Sequence, residues 1–287
     1  MSSGKVVTSV GFERRFNDAL RISDRDRFTA YMDEDQPIKP ANVLNIVAIN
    51  QGRRDLTRGV PRAKALSPAE VEAMIREGHY LIDARSSAAW GGGHIAGSIN
   101  VQMSSSEFEQ RVGWVVPDDA PIILLTDKDA QAQSCMYNMG FIGLDQHVAG
   151  FLEGGLSAWM NSGRPVRTTP QMDVFTLSER RAANEIHVLD TREQDEWDDG
   201  HIEGAVFMPY TRLAPQLERP PRFDELGLEK GACIAVACAT GNRSSTAIGL
   251  MLREGYTDLR NVTGGMEAWG CAGLPMIDAT GSACSID

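Results

Sequence analysis

Ala232-Cys233-Ile234-Ala235-Val236-Ala237 runs directly into Cys238-Ala239-Thr240-Gly241-Asn242-Arg243-Ser244, and that into Ser245-Thr246-Ala247-Ile248-Gly249-Leu250-Met251-Leu252-Arg253. The first segment has the length and apolar continuity of a buried strand. The last reads as a helix stopped by Gly255. Between them a cysteine ends the strand, and small residues lead into the helix start. Loop amides and a helix N-terminus then converge on one place, where they favour negative charge. They would favour the thiolate of Cys238 and stabilise an anion attacking it or attached to it. Arg243 adds a planar fork of donors suited to an anion. The alternative is a buried structural cysteine beside a turn. Glycine and arginine close behind the cysteine, and a hydroxyl-rich helix start, weigh against that.

At 287 residues the chain has room for about two domains with full cores. Hydrophobic content of 42% and charged content of 23% suit a soluble globular protein. A net charge of −11 argues against nucleic-acid and membrane partners. The cysteines Cys135, Cys233, Cys238, Cys271 and Cys284 are odd in number and irregularly spaced, so neither a disulfide framework nor a zinc site is expected. No apolar run has signal-peptide or membrane-spanning length, and a reducing cytoplasm fits best.

An internal repeat organises the rest. Leu81-Ile82-Asp83-Ala84-Arg85 matches Val188-Leu189-Asp190-Thr191-Arg192, Trp90 matches Trp197, and Gly93-His94-Ile95 matches Gly200-His201-Ile202, all at one constant offset. Gly154-Gly155…Trp159 matches Gly264-Gly265…Trp269, at a slightly larger offset that Pro165 and Pro275 share. Two related units in tandem are therefore expected, over residues 63–168 and 169–280. Ser67-Pro68-Ala69-Glu70 is a capping-box start for a helix to about Arg76. His79–Asp83 and Pro121–Thr126 read as strands, and the stretch near Gln131 to Asn138 as a helix. Strands alternating with helices imply an α/β fold, two mainly parallel sheets flanked by helices, with ligands at the carboxyl edge. Residues 1–62 read as a helical arm, with short helices around Ala19–Ile22, Phe28–Met32 and Asn42–Ile49, unable to form a core alone. Residues 281–287 read as a mobile tail.

The set Asp190-x-Arg192, Gly200-His201-Ile202-x-Gly204, Cys238-x-x-Gly241-x-Arg243-Ser244 and Gly264-Gly265-x-x-Ala268-Trp269 resembles the rhodanese superfamily in order and spacing. The resemblance implies that Cys238 accepts a sulfane sulfur from a small anionic donor, thiosulfate or a low-molecular-weight persulfide, and passes it to a thiol or cyanide. It implies a cradle of Ala239, Thr240, Gly241, Asn242, Arg243 and Ser244, with Asp190, Arg192 and His201 in support. Between Cys238 and Arg243 stand only Ala239 to Asn242; related phosphatases and arsenate reductases have one residue more, so the loop resembles the sulfurtransferase size. Arg243 either orients the donor or ties the loop to carbonyls. Asp190 and Arg192 read better as an internal ion pair than as substrate contacts. His201 reads better as structural than as a general base, because transfer from a thiolate needs none. Trp197 and Trp269 suit core packing.

Thr126, followed by Asp127, stands in the first repeat where the nucleophile should be, so that repeat is read as catalytically silent. The stretch from Thr126 to Gly140-Phe141 is shorter than that from Cys238 to Gly255-Tyr256, which predicts a shortened loop. Cys135 reads as packing; Cys271 and Cys284 could resolve a persulfide but read better as functionless. Gly11-Phe12-Glu13-Arg14-Arg15-Phe16-Asn17-x-Ala19-Leu20 is similar to the segment ending the metallo-β-lactamase-fold half of persulfide dioxygenase–rhodanese fusions. The metal-binding half is absent and the five histidines are scattered, so no metal and no cofactor are expected. The arm would engage a persulfide dioxygenase in trans or support self-association. Besides sulfur transfer, arsenate or phosphate-ester chemistry on the same loop and a non-catalytic sulfur-relay module remain as alternatives.

Overall fold

The computed structural model describes residues 7–33, 38–54, 59 and 62–284. By contacts the chain divides into two units, between Ile38 and Lys39. The first carries α1 (Val10–Phe16), α2 (Asp18–Arg21) and α3 (Arg25–Asp33), none of which buries a residue. Ser9 and Asn17 cap α1 and α2 by accepting from the amides of Phe12 and Ala19. α1 was not expected from the sequence. Its two phenylalanines, one helical turn apart, lie with ring centroids 4.5 Å apart.

The second unit opens with α4 (Val43–Asn50). Asn45 is buried and donates to Asp118 at 2.9 Å, Asn42 fills the space left by Gly113, and Ile49 that left by Gly143. Asn42, Asn45 and Ile49 therefore pack on the first repeat while Lys39 and Pro40 reach Glu218 and Gln216 of the second, so the contact division falls at Ile38 and not at the boundary of 62 expected for the arm.

The first repeat runs β1 (Ala65–Leu66), α5 (Pro68–Arg76), β2 (Tyr80–Asp83), α6 (Ser87–Gly92), β3 (Ile99–Asn100), α7 (Phe108–Val115), β4 (Ile122–Leu125), α8 (Asp129–Gly140), β5 (Val148–Leu152) and α9 (Gly155–Asn161). The second repeats it: β6 (Gln171–Met172), α10 (Val174–Ala182), β7 (His187–Asp190), α11 (Gln194–Asp199), β8 (Val206–Phe207), α12 (Tyr210–Leu213), β9 (Ile234–Ala237), α13 (Asn242–Arg253), β10 (Leu259–Val262) and α14 (Gly265–Cys271). Each forms a five-stranded, wholly parallel sheet, in order β1-β5-β4-β2-β3 and β6-β10-β9-β7-β8. The capping box at Ser67 and Glu70 forms as read, with Pro68 in the first turn.

Strand periodicity sends alternate side chains to opposite faces, and the two faces have different partners. Leu81, Ile123 and Leu125 pack with Val71, Ile95 and Trp159 in a core private to the first repeat. Val188, Ala235 and Ala237 do the same with Leu177, Ile202 and Trp269 in the second. The intervening residues, Ile82, Ile122 and Leu124 of one sheet and Leu189, Ile234 and Val236 of the other, join Ala247, Ile248 and Met251 of α13 in one continuous cluster. The repeats are thus fused through a common core, with α13 inside it.

The recurring Trp, His and Pro have a local explanation. His94 and His201 stack on Trp90 and Trp197, one turn earlier in the chain, with centroids 4.1 and 3.6 Å apart. The Trp159 and Trp269 indoles donate to the carbonyls of Pro165 and Pro275. Trp269 is buried, but Trp197 is only half-buried, covering His201 rather than filling the core. The tail expected over 281–287 begins as a hydrogen-bonded turn: Cys284 N donates to Met276 O at 2.9 Å, and Ala283 bridges Ile277. Residues 285–287 lie outside the described residues.

Candidate active site

Cys238 follows the last residue of β9 at the carboxyl edge of the second sheet and is 1% exposed. Its Sγ accepts the Gly241 N–H at 3.1 Å. Gly241 has φ +97° and caps α13 with no side-chain bond of its own. A side chain there would be strained, and its Cβ would lie 3.1 Å from Val262 O. The sulfur therefore accepts the N–H of the N-cap residue, at the amide end of this long helix.

The loop is held from below by α14. Met266 N donates to Cys238 O at 2.8 Å and Glu267 N to Ala239 O at 3.0 Å. The Gly264-Gly265 pair makes this possible: both have positive φ, and a Cβ on Gly265 would stand 2.1 Å from Cys238 O. With the carbonyls of Cys238 and Ala239 bonded to α14, the Gly241 amide is left to face the sulfur. Asn261 of β10 fixes the loop from the side. Its Nδ2 donates to Gly241 O at 3.1 Å, and its Oδ1 accepts from Ser244 Oγ at 2.6 Å. The Ser244 hydroxyl lies 3.5 Å from Cys238 Sγ, but its proton serves the shorter bond. Thr240 stands exposed at the rim and Asn242 begins α13.

Arg243 donates to a carboxylate rather than to a loop carbonyl. Its guanidinium forms a bidentate pair with Glu196 of α11, at 2.6 and 2.5 Å. Burial works against the Arg243 charge, but the hydrogen bonds and charge of Glu196, with Glu193 nearby, outweigh it and push its pKa up. Burial alone would raise the Glu196 carboxyl; its hydrogen bonds to Arg243 win and hold it below its ordinary value. The loop is tied to a carboxylate, and the cation is neutralised.

The supporting residues lie in the frame. Asp190, at the end of β7 beside Ala237, pairs with Arg192 at 2.7 Å, and Arg192 also donates to Gly200 O. Asp83 and Arg85 repeat this arrangement in the first unit. His201 Nδ1 is 3.0 Å from Trp197 O, and its backbone pairs with Ile277 in both directions. Cys271 ends α14, whose first turn touches Cys238, about 9 Å away along the helix axis at about 1.5 Å per residue. Cys284 lies beside Gly200 and Met276, next to the His201–Ile277 bridge. Among the described residues no group of three metal-ligating side chains converges.

Thr126 does occupy the place of Cys238, for a Cβ on Gly155 would meet Thr126 O as one on Gly265 meets Cys238 O. The expected shortening of the first loop is incorrect. α8 and α13 end in the same way, with Leu144 N bonded to Met139 O and Tyr256 N to Met251 O after a glycine of positive φ, Gly143 and Gly255. The counterpart of Gly255 is thus Gly143, not Gly140, and the spans Thr126 to Gly143 and Cys238 to Gly255 are equal in length. What changes is conformation. Asp129 stands in place of Gly241, enters the helix, and turns its carboxylate to accept from Gly154 N at 2.9 Å. Gln131 replaces Arg243 and Ala132 replaces Ser244.

Sequence reading missed Glu196 and Asn261. Asn261 carried a signal: at the offset that joins Trp159 to Trp269, its counterpart is Phe151, a break in the repeat at the strand end beside the loop. Glu196 carried none, since its role appears only once α11 lies against α13.

The family model described as "Rhodanese-like domain" matches residues 67–162 and again 175–271. Among curated proteins, the chain is 35% identical over 91 residues to "Thiosulfate sulfurtransferase 16, chloroplastic" of Arabidopsis thaliana, covering 30% of this chain and 76% of that protein. It is 29% identical over 112 residues to "Sulfurtransferase" of Allochromatium vinosum, covering 39% of this chain and 97% of that one. Among solved structures, the crystal structure of a thiosulfate sulfurtransferase from Pseudomonas aeruginosa matches 78% of this chain and 45% of its own, at 21% identity and a TM-score of 0.32. Two matches of the family model, covering most of the chain and each spanning four of the five strands of one sheet, make this protein a member of the rhodanese-like family with two such domains in tandem.

Proposed function

We propose that the protein is a sulfurtransferase in which Cys238 of the second domain carries the sulfur and the first domain is catalytically silent. The observation that carries this reading is the Cys238 Sγ receiving the Gly241 N–H at the N-terminus of α13. The thiolate attacks the outer sulfur of thiosulfate. An Sγ–S bond forms, the S–S bond of the donor breaks, and sulfite leaves with the electron pair. Loop amides receive the negative charge of the resulting persulfide. Cyanide or a thiolate then attacks the outer sulfur, forming thiocyanate or a new persulfide and returning the Cys238 thiolate. A low-molecular-weight persulfide is the second candidate donor, supported by the likeness of the arm to persulfide dioxygenase fusions. The same likeness supports a persulfide dioxygenase as partner, or self-association through the arm. All five cysteines are unpaired, which suits a reducing compartment such as the cytoplasm. No helix among the described residues is long and apolar enough to cross a membrane. Phosphate-ester or arsenate chemistry is disfavoured because Glu196 already occupies the Arg243 fork.

The test is intact mass after incubation with thiosulfate. Wild type should gain one sulfur and lose it to cyanide with release of thiocyanate, while Cys238→Ser gains none. Loading of the serine variant would refute the assignment. Loading by glutathione persulfide alone would change the donor, and loading without turnover would favour the relay reading.

A further inference from the structure

We propose that the first repeat acts as a positioning element for the sulfur cradle, and that Asn100 is the residue through which it sets the first turn of α13. Asn100 is fully buried at the end of β3. Its Nδ2 donates to Asp83 O and Arg85 O, both at 2.9 Å, which fixes the orientation of the amide. Oδ1 is thereby aimed out of the first repeat, where it accepts from Ser245 Oγ at 2.6 Å. The Asn100 carbonyl accepts from Thr246 Oγ1, also at 2.6 Å. Ser245 and Thr246 are the fourth and fifth residues of α13, directly after the loop whose Gly241 amide donates to Cys238 Sγ.

Two further contacts extend the seat. Ser87 Oγ lies 3.4 Å from Asn242 Oδ1. Gly249 brings the helix against the β3 backbone, where an added Cβ would stand 3.1 Å from Ile99 Cα and 3.2 Å from Ser98 O. The consecutive hydroxyls are divided between two neighbours: Ser244 bonds Asn261 of its own sheet, while Ser245 and Thr246 bond Asn100 of the other. The repeat exposes the purpose. The offset that joins Trp90 to Trp197 sets Phe207 opposite Asn100, and the one that joins Trp159 to Trp269 sets Phe151 opposite Asn261. Each asparagine occurs in the repeat where it bonds α13, and a phenylalanine stands at the matching place in the other. The hydroxyl-rich helix start, read from sequence as part of an anion-binding loop, is in large part a docking device. Moving this turn by a fraction of an ångström carries the adjoining Gly241 amide off the sulfur, and hydrogen bonds weaken steeply with angle.

The experiment uses the full chain and measures the rate of Cys238 alkylation by iodoacetamide at pH 7, by peptide mass. Asn100→Ala and Ser245→Ala should each slow it roughly three- to tenfold, and the double variant should be no slower than the slower single, because both remove one bond. Ser245→Thr, which restores the hydroxyl, should return the rate to within about twofold of wild type. Arg253→Ala loosens the same interface at the far end of α13, where Arg253 donates to Gly97 O, and should leave the rate unchanged. Should Asn100→Ala fail to fold, the Ser245 pair carries the comparison. A folded Ser245→Ala with a wild-type rate, or single effects that multiply in the double, would overturn the proposal. Turnover with thiosulfate rests on Cys238 being the sulfur carrier; there kcat should fall with KM unchanged. Failure of wild type to load sulfur would sink only that carrier reading, because the alkylation comparison does not depend on it.

Discussion

Cys135 and Cys238 are the same side chain in opposite settings. Both are buried. Cys135 lies in α8 within the common apolar core, where burial pushes its thiol up to about 12. Cys238 is buried at a helix N-terminus, with an amide directed at its sulfur. Native protein at pH 9 should therefore leave Cys135 unmodified by iodoacetamide, and urea should expose it; peptide mapping reads both. Native labelling of Cys135 would contradict its placement. A thiol whose folded value is raised contributes its full stability below the ordinary thiol range, and loses it only as pH rises toward 12. Across pH 5–8 Cys135 should add no pH dependence to unfolding. Arg243 marks the limit of reading at this scale: its distance from Cys238 is plain in the chain, but its partner Glu196 lies far upstream on another helix.

Among the elements, the decisive contrast is between two loops of equal length. The stretch from Thr126 into α8 and that from Cys238 into α13 differ because one has glycine where the other has Asp129. Glycine accepts the left-handed turn that keeps a loop amide on the sulfur; aspartate continues into the helix. Gly265 should be the least replaceable residue beneath the cradle. Gly265→Ala combines a φ of +55° with a Cβ 2.1 Å from Cys238 O. It should cost about 2–4 kcal/mol, from left-handed strain and the shift forced on the loop. In thermal unfolding that is a fall in Tm of roughly 5–10 °C for a unit of this size. An unchanged Tm would mean that α14 does not clamp the loop.

For the molecule from Lys39 onward, the continuous core makes separate unfolding of the repeats unfavourable. Ile82 and Leu124 of one sheet and Leu189 and Val236 of the other pack in the same cluster as α13. Removing either repeat would expose the apolar face of the other, at about 25 cal/mol for each Å2 of apolar surface. Calorimetry should show one cooperative transition for the two repeats, with the van't Hoff enthalpy matching the calorimetric one. Two separated transitions, one for each repeat, would show that the common core contributes little. The first repeat supplies half of the core around the helix that follows Cys238, a structural role that holds whether or not it also carries chemistry.

Local sequence specified the pieces: two α/β repeats, the strand before Cys238 and the helix after it, and the capped start at Ser67. These are local matters of periodicity, caps and glycine. It also determined the candidate nucleophile, because a strand–cysteine–glycine loop–helix order places a thiol among amides wherever it folds. Tertiary structure alone decided what the charged and hydroxyl side chains do. Arg243 pairs with Glu196, Ser245 and Thr246 dock on Asn100, and Asn45 bonds Asp118 of the first repeat. Side chains of this kind satisfy themselves with whatever polar partner is nearest once burial has removed water. Which partner that is depends on how two sheets meet across their apolar faces.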